Sequence, residues 1–125
     1  MLVDTDVLIW HLRGEPQATR RLDQLPTLTL SAITWMELLQ GFRSKAEMFA
    51  VQKSFEMRKA NRLPLTPTIT ERATVLMEAL SLSDGLQLGD ALIAATALEY
   101  NLPLLTGNVK HFAPIGQLKI ERFER

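Results

Sequence analysis

Asp4 follows an apolar run, Leu2-Val3, and stands two residues before Asp6 in V-D-T-D-V. Asp90 opens the apolar stretch L-G-D-A-L-I-A-A-T-A-L. Acids in such settings cap or compensate a helix N-terminus, or they answer a buried partner, a metal ion being one candidate. Carboxylates gathered in one place repel and raise each other's pKa values, and a cation removes that cost. Mg²⁺ and Mn²⁺ take oxygen ligands, activate water and absorb negative charge developing on a phosphodiester. The chemistry this set suggests is metal-assisted hydrolysis. Asp6 reads either as first-turn dipole compensation or as a supporting partner of the same site. Glu37, in T-W-M-E-L-L-Q-G, falls nearly opposite the stripe of Trp35, Leu38, Leu39 and Phe42. That face suits a solvated glutamate and a cleft ligand equally. Asn108, after Thr106-Gly107, brings an amide without charge and suits a turn, a helix cap or a cleft. Ser31, Thr34 and Thr5 read as local caps that are also placed to line a cleft.

The elements that must position these residues alternate. Strands are expected at residues 2–3, 27–33, 63–66, 102–106 and 119–122, the third at an edge because of Pro64. Helices are expected at residues 5–12, 16–24, 34–42, 45–61, 68–82 and 88–100. The last of these is apolar nearly all round and should be buried, its first turn included. Such alternation predicts an α/β layer fold with a mostly parallel central sheet of four to five strands flanked by helices. In open sheets of this kind, sites lie beyond the carboxyl ends of the strands. Asp4 and the Thr106-Gly107-Asn108 turn fall at such ends.

With 125 residues, no repeat and no linker, a single domain spanning 1–125 is expected. The absence of cysteine excludes disulfides and thiolate zinc sites. The first residues do not read as a signal peptide, and no stretch approaches the roughly 18 apolar residues of a membrane span. A soluble cytoplasmic protein is therefore expected. Fourteen basic residues balance fourteen acidic ones, so a globally basic nucleic-acid binder is not indicated. The distribution is uneven. Residues 43–62 hold six basic side chains against two acidic, and residues 63–108 hold one basic against five acidic. That pattern suits either a phosphate-attracting surface beside a metal centre or an ordinary solvated helix.

Taken together, LVDTDVLIWHL, SAITWMELLQGF, GLQLGDALIAATALEYNLPLLTGNVKHF and the tail LKIERF resemble the PIN-domain family, specifically the VapC-type toxins of bacterial toxin–antitoxin pairs. The resemblance covers nearly the whole chain. It implies a PIN-like fold and a Mg²⁺- or Mn²⁺-dependent endoribonuclease. Asp4 and Asp90 would coordinate the metal. Glu37 would coordinate it through water or orient the attacking water, and Thr106 matches a hydroxyl near the site. Cleavage would leave a 5′-phosphate and a 3′-hydroxyl. It also implies an RNA substrate, a homodimer and a cognate antitoxin that fills the cleft. Asn108 falls on the family's fourth acidic position and departs from it, which reduces the charge available for a second cation.

Two other readings stand beside this one. L-V-D-T-D resembles the opening D-x-D of haloacid dehalogenase-type phosphatases, but Val7 stands where that family has Gly, and no Lys occurs in residues 73–109. A non-catalytic α/β binding module is the other, if Asn108 abolishes metal binding. No P-loop, G-x-S-x-G or G-x-G-x-x-G is present. The two histidines, His11 and His111, lack zinc spacing. His11 reads as a packed or surface residue, and His111 as the same or as a phosphate contact. Trp10 and Trp35 read as core.

Overall fold

The computed structural model describes residues 1–125. Strand β1 (Leu2–Val3) runs into α1 (Thr5–Leu12), and α2 (Pro16–Asp23) follows. Then come β2 (Thr29–Ser31), α3 (Ala32–Gly41), α4 (Lys45–Met57), β3 (Asn61–Leu63), α5 (Pro67–Asp84) and α6 (Leu88–Glu99). The chain ends with β4 (Leu104–Thr106), α7 (Val109–Phe112) and β5 (Ile120–Arg122).

Every ladder is parallel, in line with the mostly parallel sheet expected, but the five strands divide between two hydrogen-bonded sheets. One sheet has the order β1-β4-β5 and the other pairs β2 with β3. β2 packs beside β1 without a ladder, so the spatial order is β3-β2-β1-β4-β5. The order reverses between β1 and β4, which is where doubly wound sheets open a crevice.

Adjacent residues on a strand face opposite sides, and here each side meets its own core. Leu2 and Leu104 join Ile69, Ile93, Ala94, Ala97 and Phe112 on one face. Val3 and Leu105 join Val7, Leu8, Leu30, Trp35, Phe55 and Phe123 on the other. Both faces being covered explains why these strands read as unbroken apolar runs. Each fully buried leucine or valine contributes about 1.5–3 kcal/mol relative to exposure.

Local chemistry sets the helix ends. Thr66 Oγ1 accepts from Ile69 N ahead of Pro67, and Gly85 at φ +67 closes α5 in the left-handed region. α6 buries Ala91, Ala94, Ala95 and Ala97, small side chains that let α5 approach closely.

Several expectations are corrected. The second strand is shorter, because Ser31 caps α3 and the helix begins at Ala32. α4 stops at Met57, and β3 begins at Asn61, before Pro64 rather than through it. β3 is an edge strand, as Pro64 suggested. Leu39 is 38% exposed and so is not part of the buried stripe. Trp35 is core, edge-on to Phe42, whereas Trp10 is only half-buried. The first turn of α6 is open, with Leu88 64% exposed; burial starts at Ala91. α7 was not expected, since four residues are too few to show a period. No helix is long and apolar enough to cross a membrane.

Candidate active site

A cleft of about 320 Å³ opens at the carboxyl ends of β1 and β4. Asp4, Asp6, Glu37, Asp90, Asn108 and His111 line it, with Thr5, Ile9, Gln87 and Gly89. The fold therefore brings four acids from three helices and a strand end into one place.

Asp4 is 3% exposed and is the N-cap of α1. Its Oδ1 accepts from Thr5 N at 2.8 Å, and its Oδ2 accepts from the Thr106 hydroxyl at 2.7 Å. Asp4 thus both caps α1 and lines the cleft. Burial pushes its pKa up to about 8, the nearby charge of Asp6 adds to the rise, and the Thr106 and Thr5 hydrogen bonds oppose it. Thr106 does not line the cleft; it stands directly behind Asp4, fully buried. Its hydroxyl accepts from Asn108 N at 2.9 Å, which directs its single proton toward Asp4.

Asp6 Oδ2 accepts from Gly107 N at 2.9 Å, tying α1 to the end of β4. A Cβ at position 107 would lie 2.8 Å from that oxygen and force the Asp6 carboxylate to shift. Asp6 Oδ1 is buried with no hydrogen-bond partner. Glu37 Oε1 accepts from Thr5 Oγ1 at 2.7 Å, so α1 holds the carboxylate that α3 supplies. Thr5 Oγ1 also stands 3.0 Å from Thr34 Oγ1. Gly89 allows the Glu37 head to lie against α6, since a Cβ there would come within 3.0 Å of Oε2.

Asp90 is half-buried in the open first turn of α6, and His111 Nδ1 lies 3.2 Å from its Oδ2. Burial raises the Asp90 pKa, and the imidazole opposes the rise. His111 as the partner of Asp90 is the contact that sequence reasoning missed. Its only signal was nearness to Asn108 on the same turn. Thr5 lines the cleft as its position allowed, but its hydroxyl bond to Glu37 was not foreseen. His11 is elsewhere, its Nδ1 2.7 Å from Thr19 Oγ1.

The cleft suits a hard divalent cation in three respects. Its donors are carboxylate oxygens. One buried carboxylate oxygen, Asp6 Oδ1, has no partner. Two glycines keep the space beside Glu37 and Asp6 clear. The acids line the cleft without closing into a cage: no three side chains already stand at ligating separations. Of the two readings of residues 43–62, the solvated helix fits better, because none of their basic side chains lines this cleft. Arg58 is tied to Asp23, and Arg62 lies over Trp35.

The PIN domain family model matches residues 1–115. The chain belongs to the PIN-domain family. Among its relatives, this PIN domain is 38% identical to Ribonuclease VapC10 of Mycobacterium tuberculosis over 95% of this chain and 90% of that one. It is 33% identical to Ribonuclease VapC19 of the same organism, over 94% and 96%. A toxin–antitoxin complex from Klebsiella pneumoniae contains a chain of the same fold, with TM-score 0.82, 30% identity, and 99% and 98% coverage. VapBC2 from Rickettsia felis, bound to a DNA fragment of its promoter, matches with TM-score 0.84 at 23% identity, over 98% of each chain. That last likeness concerns the fold alone. The family match also leaves no support for the phosphatase reading.

Proposed function

We propose that this chain is a divalent-cation-dependent endoribonuclease and the toxin of a toxin–antitoxin pair. The observation that carries the reading is the convergence of Asp4, Glu37 and Asp90 in one cleft at the crevice between β1 and β4. The names of the M. tuberculosis relatives support ribonuclease activity, and the K. pneumoniae complex supports an antitoxin partner.

Asp4 and Asp90 would hold Mg²⁺ or Mn²⁺, with Asp6 and Asn108 beside them. When bound, such an ion supplies a Lewis acid for a phosphate oxygen and makes water a nucleophile near neutral pH. The protein's own part is positioning. Thr106 and the Thr5 amide fix both oxygens of Asp4. His111 holds Asp90 by one oxygen. Glu37, anchored through one oxygen to Thr5 with its other oxygen near Gly89, would meet the ion through water or orient a water for in-line attack. With Asn108 in place of a fourth acid, one cation is the expected load. A homodimer is part of the proposal. Val75 and Leu82 on α5 are 63% and 100% exposed, and Leu88 on α6 is 64% exposed, apolar area that a second copy would cover.

Incubating the purified chain with total RNA tests the reading. Cleavage should require Mg²⁺ or Mn²⁺, stop with EDTA, and fall at least ~100-fold in Asp90→Asn. Equal cleavage by the variant, or cleavage in EDTA, would overturn it. The open arrangement of the acids favours a second reading, an inactive binding module. Intact RNA together with no Mn²⁺ binding would select that one.

A further inference from the structure

The acid cleft presents a difficulty for a polyanion. Asp4, Asp6, Glu37 and Asp90 face it, and His111 is the only basic side chain in its lining. RNA approaching unaided meets net repulsion, so an adjoining positive surface should hold the strand in place. None of the basic side chains on α4 lines the cleft, so α4 is not the surface that reaches it.

Another surface does. A second open cleft, of about 270 Å³, lies between α2 and the end of the chain. Arg20, Arg21, Gln17 and Gln24 come from α2, Arg122 comes from the end of β5, and Glu124 is the one acid in the lining, so three arginines face a single carboxylate there. Arg20 forms no ion pair, Arg21 is paired with Glu121, and Arg122 meets Glu124 only at 3.9 Å. The two clefts have no lining residue in common, but Phe123 and Gly107 connect them. Phe123 lines the arginine cleft, and its N–H donates to Thr106 O at 2.8 Å. Its carbonyl lies 3.5 Å from where a Cβ of Gly107 would be, beside Asp6. The positive surface continues along α1, where Arg125 lies over Trp10 at 3.7 Å and Arg13 at 5.9 Å from the ring centroid. Ile9, next to Trp10, lines the acid cleft.

We infer that the cleft between α2 and the chain end, carrying Arg20, Arg21 and Arg122, is a phosphate track that binds RNA flanking the scissile bond. The inference rests on the ribonuclease reading above. Guanidinium forks match phosphate oxygens, and Gln17 and Gln24 add neutral donors for the same backbone. The track reads no base edges, so it contributes affinity and register rather than sequence choice.

The test compares two charge-matched pairs, Arg20→Gln/Arg122→Gln and Lys45→Gln/Lys53→Gln, the second on α4 away from both clefts. Each is placed in an Asp90→Asn background and titrated with unfractionated tRNA from low to moderate salt. The arginine pair should weaken binding roughly tenfold and reduce the salt slope by about 1–2, one phosphate contact per charge removed. The lysine pair should stay near the parent. Equal loss from both pairs, or loss from the lysines alone, would overturn the track. So would unchanged tRNA binding by the arginine pair, whether or not it loses capture of an antitoxin, which would assign the surface to protein. Cleavage of the same RNA by the chain with Asp90 intact is run in parallel. If that fails, the ribonuclease reading falls and the track with it; if it succeeds while the arginine pair binds normally, the track alone falls.

Discussion

The Thr106 hydroxyl donates to Asp4 Oδ2 over 2.7 Å, joining the carboxyl ends of two neighbouring parallel strands across most of the chain. The same hydroxyl accepts from Asn108 N, so one buried oxygen sets the orientation of the acid and of the turn beside it. Thr106→Val keeps the shape and removes both contacts. It should cost about 1–3 kcal/mol, the usual loss when a buried polar group is left without its partner. Mn²⁺ affinity should fall about 10–100-fold, as when an outer partner of a ligand is lost. Thermal melts and calorimetry read the two effects separately.

The raised pKa of Asp4 has a sign that can be checked in metal-free protein. Its folded value, about 8, lies above the ordinary 3.8. Below the ordinary value both states hold the proton and nothing is lost. As pH rises toward 8 the unfolded chain ionises while the folded one keeps its proton, so stability falls, levelling off above 8. Asp90 is raised as well and acts in the same direction. With EDTA present, the original chain should therefore melt at a lower temperature at pH 8 than at pH 5. Asp4→Asn should remove part of that difference and melt higher than the original chain at pH 8. Added Mg²⁺ should raise the melting temperature of the original chain more at pH 8 than at pH 5. The opposite pH trend in the difference between Asp4→Asn and the original chain would contradict the burial of an unpaired charge.

Gly89 separates stability from activity. A Cβ there would meet Glu37 Oε2 at 3.0 Å, the movable end of a side chain, while alanine is the better helix former. Gly89→Ala should leave the melting temperature unchanged or raise stability by up to ~1 kcal/mol. RNA cleavage should nevertheless drop, because Glu37 is pushed off its position. Unchanged activity would show that the Glu37 head group does not need to lie against α6.

Asn108→Asp places an acid at the family's fourth acidic position and makes five in the cleft. Its expected effect is tighter Mn²⁺ binding or a second equivalent bound per chain, read as calorimetric stoichiometry. A variant that matches the original chain in both quantities would place residue 108 outside the reach of the ion.

How much of this is readable in the sequence differs from residue to residue. Asp4 is visible because a charged residue closing an apolar strand has few bland explanations, and the strand-end rule singles out Thr106 to Asn108 by position alone. The alternation of strands and helices is likewise visible in the runs at Leu2, Leu104 and α6, since a sheet buried on both faces writes itself as consecutive apolar residues. The gap between β1 and β2 is not, because ladder pairing depends on spacing between strands and leaves no mark in composition. Glu37 is ambiguous: a helix wheel says which face avoids the stripe, but only the packing of α1 on α3 decides whether that face meets water or Thr5. His111 and Thr5 escape notice as site partners for the same reason, their contacts lying across elements. The exposed first turn of α6 is misjudged because apolarity all round does not say where the neighbouring helix begins to cover it. The basic run at residues 43–62 is clear as a charge pattern, yet its distance from the cleft is a property of the fold alone.

Titration of Mn²⁺ into the metal-free protein, followed by calorimetry, bears most directly on the central claim that these acids share one ion. The original chain should bind close to one equivalent, and Asp4→Asn and Asp90→Asn, each still folded by circular dichroism, should each lose most of that affinity. Absence of binding by the original chain, or undiminished binding by both folded variants, would contradict it.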